Sequence, residues 1–279
     1  MKLAHHHYGK AKVRLMKVTR DGPRHTLKEL DVSVMLQGDF EASYTRGDNR
    51  LVVPTDTMKN LVNILAWERL ATENEEFALA LGAHFLKTYL QVSQVDIGLA
   101  ERRWERLAVA GRAHDHSFAQ REPARPTVRA VCARSGSSVE SGIEDLLILK
   151  TTGSGFEGFG KDGYTTLAET NDRIFATQLT ARWAYAKPPG SYSQTNRNVL
   201  EAMLSVFADS YSPSVQATLF QMGEAALSAA PEISRISLTM PNKHCLRVNL
   251  APFGLDNRNE LFVPTDEPHG QIEGTVSRS

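Results

Sequence analysis

Cysteine is scarce in this chain: only Cys132 and Cys245 occur in 279 residues. Two thiols cannot make the framework of a disulfide-stapled secreted domain, so a reducing cytosol and two buried, inert thiols are expected. An excess of one charge is also missing, since 32 Lys and Arg balance 32 Asp and Glu. Nucleic acid and anionic membrane surfaces are therefore not expected as main partners. No apolar run approaches the length of a transmembrane helix, and Met1-Lys2-Leu3-Ala4-His5-His6-His7 lacks the apolar core of a signal peptide. The chain ends Ser277-Arg278-Ser279, not in the Ser-Lys-Leu peroxisomal address, which leaves a cytoplasmic location as the expectation. A metal-ligand pattern is lacking too. His5-His6-His7 and His114-Asp115-His116 have neither the spacing nor the cysteine partners of structural zinc sites, so no metal is expected. The first reads as a mobile N-terminal tract, the second as part of a polar loop from His114 to Thr127 containing Pro123 and Pro126.

What is present is hydrophobic periodicity that changes along the chain. Val13 and Leu15, then Val32, Val34 and Leu36, alternate with polar neighbours as strands do. After Thr55 the period becomes helical, with Met58, Leu61, Ile64 and Leu65 on one face. A second helix follows from about Glu75, with Phe77, Leu81 and Phe85 in a row and the acidic Glu73 to Glu76 at its start. Strand period returns at Val95, Ile97 and Leu99, and again near Val128 to Cys132. The second half repeats the order. Ile143 to Lys150 and Leu179, Ala181, Trp183, Tyr185 read as strands; Val199, Met203 and Phe207 mark a helix. Ser212-Pro213 reads as an N-cap followed by proline at the first position of a further helix, with Val215, Leu219 and Met222 on its apolar face. Ile236, Leu238, Met240 and Leu246, Val248, Leu250 close the pattern. The fold class is α+β: two tandem β-β-α-α-β-β units with antiparallel sheets. The Ser- and Gly-rich Ser135–Ser141 stretch divides them into residues 1–135 and 136–279. Trp67, Trp104 and Trp183 read as packing residues, and His84 as a partly buried helix residue.

Gly153-Ser154-Gly155-Phe156-Glu157-Gly158 matches the dinucleotide pattern G-x-G-x-x-G letter for letter. That mechanism needs a helix immediately afterwards to hold a pyrophosphate, and no helical period follows. The glycines are read instead as letting the backbone bend around Phe156. Leu51-Val52-Val53-Pro54-Thr55-Asp56 runs a short strand into a helix, so Thr55 and Asp56 sit where unpaired amides and the positive end of the helix dipole can hold an anion. Taken alone, this corner is better read as ordinary helix capping.

Seven separated segments change that balance. They are Tyr8-Gly9-Lys10, the Thr55-Asp56 corner, Leu149 to Phe156, Tyr164-Thr165-Thr166-Leu167, Glu169 to Ile174, Ser214-Val215-Gln216-Ala217-Thr218, and Met240-Pro241-Asn242-Lys243-His244. In this order and spacing, from Tyr8 to Arg278, the chain closely resembles the urate oxidase (uricase) family. The resemblance implies tandem tunnelling-fold domains, closing into barrels in a homotetramer with active sites at subunit interfaces. It implies oxidation of urate by O₂ and water to 5-hydroxyisourate and hydrogen peroxide, with no metal and no organic cofactor. Matched position by position, Arg173 and Gln216 grip urate from two edges, Phe156 stacks on the purine, and Leu167 is an apolar wall. Val215 binds through its backbone N–H, Asp56 contacts substrate, and Asn242 lies beside the O₂ or water site. Lys10, Thr55 and His244 match a proton-relay triad, which the resemblance places across an interface from Arg173 and Gln216. Pro54 is a departure, standing where alanine is common in the family.

The residue types suit that chemistry. An arginine fork matches a planar, oxygen-rich anion. Glutamine offers both a donor and an acceptor. O₂ reacts poorly with closed-shell molecules, so urate must lose a proton, and a threonine hydroxyl needs a neighbouring base to take it. Two other readings remain open. A tunnelling-fold purine or pterin enzyme would typically hold zinc with several histidines. A non-catalytic purine-binding oligomer would keep Arg173, Gln216 and Phe156 without needing Lys10 and His244.

Overall fold

In the computed structural model, which describes residues 2–120 and 123–278, the chain divides into two units, Met1–Gly142 and Ile143–Ser279. The first unit is built on a β-hairpin, β1 (Tyr8–Thr19) and β2 (Thr26–Gly38). A short helix α1 (Glu41–Arg46) and two longer ones, α2 (Thr55–Arg69) and α3 (Asn74–Thr88), follow. Then come β3 (Val92–Arg102), the hairpin β4 (Glu105–Val109) and β5 (Arg112–Ala119), and β6 (Arg125–Ala133). The sheet order is β1-β2-β3-β6, antiparallel throughout. Its inner face is the alternating row of the sequence: Val32 pairs with Leu99, Val34 with Ile97 and Leu36 with Val95. All but Leu99 are fully buried, each burial contributing roughly 1.5–3 kcal/mol. Phe77, Leu81 and Phe85 of α3 are fully buried as well.

The second unit repeats this plan. The division falls inside β7 (Gly136–Lys150), which is followed by β8 (Phe175–Tyr185), α4 (Tyr192–Asp209), α5 (Val215–Ala229) and β9 (Ile233–Thr239). A hairpin of β10 (Asn242–Arg247) and β11 (Phe262–Gly270) precedes the last strand, β12 (Glu273–Ser277). The order β7-β8-β9-β12 reproduces β1-β2-β3-β6, and in both units the hairpin is inserted between the third and fourth core strands. The duplication extends to one side chain. In α3 the ninth residue is Gly82, where a Cβ would lie 2.4 Å from Cys132 Sγ on β6. In α5 the ninth residue is Gly223, where a Cβ would lie 2.5 Å from Val276 on β12. Each unit thus lets its second long helix press directly onto its fourth core strand.

Several local expectations are corrected. The Ser135–Ser141 stretch comprises the end of the β6–β7 turn and the start of β7. The polar stretch from His114 is largely strand, in β5 and β6; its Arg121 and Glu122 lie outside the described residues. Strand-forming backbone was hidden there because both faces of the hairpin are largely open to solvent, so no alternation of burial marks it. The buried face of α2 is Met58, Val62, Leu65 and Ala66, whereas Ile64 is exposed. Trp67 is 80% exposed, with Lys17 Nζ 5.9 Å from its ring centre. Trp104 donates to the buried Glu29 carboxylate at 2.7 Å, and Trp183 is buried as expected. Cys132 is buried, and burial raises its pKa, but Cys245 is only half-buried. Leu246 is exposed and β10 ends at Arg247, so the expected alternation through Leu250 does not form a strand. His6 is not free: its ring lies 5.1 Å from that of Tyr44, and its Nε2 is 3.2 Å from the Gly38 carbonyl oxygen.

Candidate active site

Lys10, Thr55 and Asp56 lie in the first unit. The remaining site residues lie in the second: Phe156, Leu167, Arg173, Val215, Gln216, Asn242 and His244.

In the first unit the corner is not a capped helix end. The residue preceding α2 is Pro54, which offers no side-chain acceptor; Thr55 and Asp56 are the first and second helical residues. The reading of this segment as an ordinary cap is therefore overturned. Pro54 fits because its fixed φ, here −58°, leads into the helix and its carbonyl accepts the Met58 N–H. The amides of the first turn have no intrahelical acceptors. Asp56 does not satisfy them, because its carboxylate turns along the helix to Lys59 Nζ and to Asn60 Nδ2 at 3.1 Å. The hydrogen bond from Lys59 is the main reason its pKa falls, and the charge of Lys10 adds to it. Lys10, on β1, is therefore close enough to the α2 corner for Asp56 to feel its charge.

In the second unit the chain between β7 and β8 has no helix, in keeping with rejection of the dinucleotide reading. Gly153 takes a φ of +72°, and a Cβ on Gly155 would meet Tyr211 Oη at 2.2 Å, so close packing and a sharp bend account for both glycines. Main-chain bonds then lock the loop. Gly155 N–H donates to the Ser212 carbonyl at 2.8 Å, Ser212 N–H to the Gly153 carbonyl at 2.9 Å, and Phe156 N–H to the Thr170 carbonyl at 2.7 Å. Arg173 N–H donates to the Ser154 carbonyl at 2.8 Å. The result places the Arg173 guanidinium 5.5 Å from the centre of the Phe156 ring. Phe159, which no sequence pattern singles out, stacks on Phe156 with centroids 4.8 Å apart and planes inclined by 12°.

Arg173 is half-buried, and its Nε is buried with no hydrogen-bond partner. Burial lowers its pKa, the Tyr211 hydroxyl is the one opposing influence, and among the described residues no carboxylate pairs with it. An arginine does not discharge in a protein, so Arg173 is a partly desolvated cation whose Nε has no hydrogen-bond partner. The start of α5 belongs to the same neighbourhood, because Ser212 joins the loop to it: Ser212 Oγ lies 2.6 Å from Thr218 Oγ1. The cap is Ser214, not Ser212 as the sequence suggested, since Pro213 stays outside the helix. Ser214 Oγ accepts the Ala217 N–H at 3.1 Å. That leaves the Val215 and Gln216 amides available at the positive end of the helix. Val215 is buried and the Gln216 side chain is exposed. Ser214→Ala is expected to lower stability by about 0.5–2 kcal/mol, measurable as a reduced urea midpoint.

Asn242 opens β10, pairing with Thr177 of β8 and Gly270 of β11. His244 follows two residues later, exposed, opposite Thr265. It therefore shares a unit with Arg173, not with Lys10 and Thr55. Leu167 is 60% exposed in the open stretch before Thr170. Among the described residues no group of three or more His, Cys, Asp or Glu side chains could hold a metal ion, and no helix is long and apolar enough to cross a membrane.

Comparison with known proteins bears on this arrangement. The family model described as Uricase matches residues 6–131 and 139–273. A uricase from Arthrobacter globiformis is 42% identical over 276 residues, covering 99% of this chain and 90% of the relative. One from Dictyostelium discoideum is 42% identical over 277 residues, covering 98% and 96%. The crystal structure of the Arthrobacter globiformis uricase aligns over 100% of this chain and 95% of that one, with a TM-score of 0.95 and 42% identity.

Proposed function

The chain belongs to the uricase family and is thereby an oxidoreductase acting on urate, and on that premise we propose a cofactor-free reaction with defined residue roles. Urate, O₂ and water give 5-hydroxyisourate and hydrogen peroxide, two electrons passing from the purine to O₂ while water supplies the new hydroxyl. The observation that carries the binding half is the desolvated Arg173 cation, poised over Phe156 with no anion of its own. A flat monoanion stacked on Phe156 satisfies it. Gln216 grips the opposite edge, the Val215 N–H donates to a purine oxygen, and Leu167 walls the site once it is covered.

Lys10 and Thr55 carry the proton chemistry. The Thr55 hydroxyl touches substrate, Lys10 takes the proton through it, and His244 relays it toward reduced oxygen beside Asn242. Asp56 contacts the substrate from the same helix turn. Lys10 and Thr55 belong to the first unit and Arg173 and Gln216 to the second. A homotetramer with sites at subunit interfaces lets the first unit of one protomer complete the site on the second unit of its neighbour. The domain limits 1–135 and 136–279 and a cytoplasmic location complete the reading.

The test is direct. Metal-stripped protein is mixed with urate under air, and urate absorbance and peroxide are followed together. Loss of urate with equimolar peroxide is expected. No consumption overturns the enzyme reading, and consumption that returns only with added metal overturns cofactor independence. Xanthine binding without any urate turnover would instead favour a purine-binding oligomer.

A further inference from the structure

We propose that Tyr8 is a positioning residue that sets the Thr55 corner against Lys10, an inference that rests on the role given above to that pair. The Tyr8 hydroxyl accepts the Val53 N–H at 2.7 Å and donates to the Val53 carbonyl at 3.1 Å. One side chain thus clamps both backbone groups of a residue 45 positions away. Val53 is 2% exposed, so water is a poor substitute for either bond. Burial raises the Tyr8 pKa, which keeps the hydroxyl protonated and able to donate and accept at once. The ring is itself fixed edge-on against Phe40, centroids 4.8 Å apart at 90°.

Both ends of the clamp lead straight to the proposed relay. Thr55 is two residues beyond Val53, and the intervening Pro54 makes that arm stiff. Lys10 is two residues beyond Tyr8 on β1, and strand period places the two side chains on one face of the sheet. Gly9 between them has no room for a side chain: a Cβ there would lie 1.8 Å from the Val34 carbonyl oxygen. Past Lys10 the register with β2 shifts before Val13, and Lys12 takes a φ of +55°. A bulge of this kind re-aims neighbouring side chains. Tyr8, Gly9 and the bulge together hold Lys10 at a fixed place relative to the first turn of α2. An amine and a hydroxyl that must pass a proton tolerate little error, since a displacement of about 1 Å can cost roughly 10²-fold in rate.

The experiment compares wild type, Tyr8→Phe, Pro54→Gly and Phe40→Leu. Each is assayed for urate turnover per xanthine-binding site and for xanthine affinity. Tyr8→Phe is expected to lower kcat about 10–100-fold with KM and xanthine Kd changed by less than about two-fold. Pro54→Gly loosens the arm with the clamp intact and is expected to lower kcat in the same sense. Phe40→Leu removes the ring that holds Tyr8 edge-on but keeps the hydroxyl, and is expected to lower kcat in the same sense as Tyr8→Phe and by less. A merely structural Tyr8 would reduce the number of xanthine sites but not kcat per site, and that result overturns the inference. Equal losses of xanthine affinity and kcat also overturn it. If Tyr8→Phe does not fold, unchanged kcat in Pro54→Gly overturns it. Wild type that fails to consume urate defeats the functional reading first and separately.

Discussion

Replacing Lys10 by methionine is expected to slow urate turnover by about 10²–10⁴-fold while leaving xanthine binding within roughly two-fold. Methionine keeps much of the stem of lysine and removes only the amine. Lys10 is half-buried on β1 opposite Val34, on the same face as the buried row, and the methionine stem can occupy that place, so folding should survive. Its link to the site is electrostatic as well as spatial, since its charge helps hold the Asp56 carboxyl low. Residues that act as one unit show non-additive losses. The double variant Lys10→Met with Thr55→Ala is therefore expected to be little slower than the worse single variant. Stopped-flow turnover beside xanthine titration checks both points. Unchanged turnover in Lys10→Met removes it from the relay, and additive losses separate the roles of Lys10 and Thr55.

Arg173→Ala is expected to act on binding. Truncating one partner of a buried charge pair costs about 2–5 kcal/mol, so xanthine and urate should bind roughly 30- to several-thousand-fold more weakly. The free protein should respond in the opposite direction. In the absence of an anion, Arg173 is a desolvated cation with an unpartnered Nε, a cost that the alanine variant escapes. Its unfolding midpoint should therefore be unchanged or higher. Weaker binding together with equal or greater stability identifies strain stored for a ligand. A large drop in stability would mark Arg173 as structural. Arg173→Lys should recover little affinity, because a point charge lacks the planar fork.

Much of this protein is written locally. The row Val32, Val34, Leu36 and the row Phe77, Leu81, Phe85 declared a strand and a helix, and both rows are buried. The seven spaced segments, by residue type and order alone, carried the family resemblance. Where reading failed, the reason was a missing local signal. The β4–β5 hairpin is largely exposed on both faces, so its strands lack an alternating pattern. In helix α2 the expected face was Met58, Leu61, Ile64 and Leu65, whereas packing buries Met58, Val62, Leu65 and Ala66. Ser212 was the expected cap of α5, but Pro213 stays outside the helix and Ser214 caps it, while Ser212 ties the 153–155 loop to Thr218.

The sequence by itself determined the core strands and long helices, their duplication and the kinds of chemical group at the site, because periodicity and residue type are properties of neighbours in the chain. Tertiary structure alone decided which polar groups have partners and which do not. Tyr8 meets Val53, and Gly82 and Gly223 bring their helices onto the fourth core strands, through contacts between residues far apart in sequence. Arg173 Nε is buried in the folded loop without a partner, and among the described residues no carboxylate pairs with the guanidinium, the loop's Asp172 and Glu169 being bonded to Thr152 and Lys161 instead. The stability or strain of a buried polar group depends on what surrounds it in space, and no local pattern of residues carries that information.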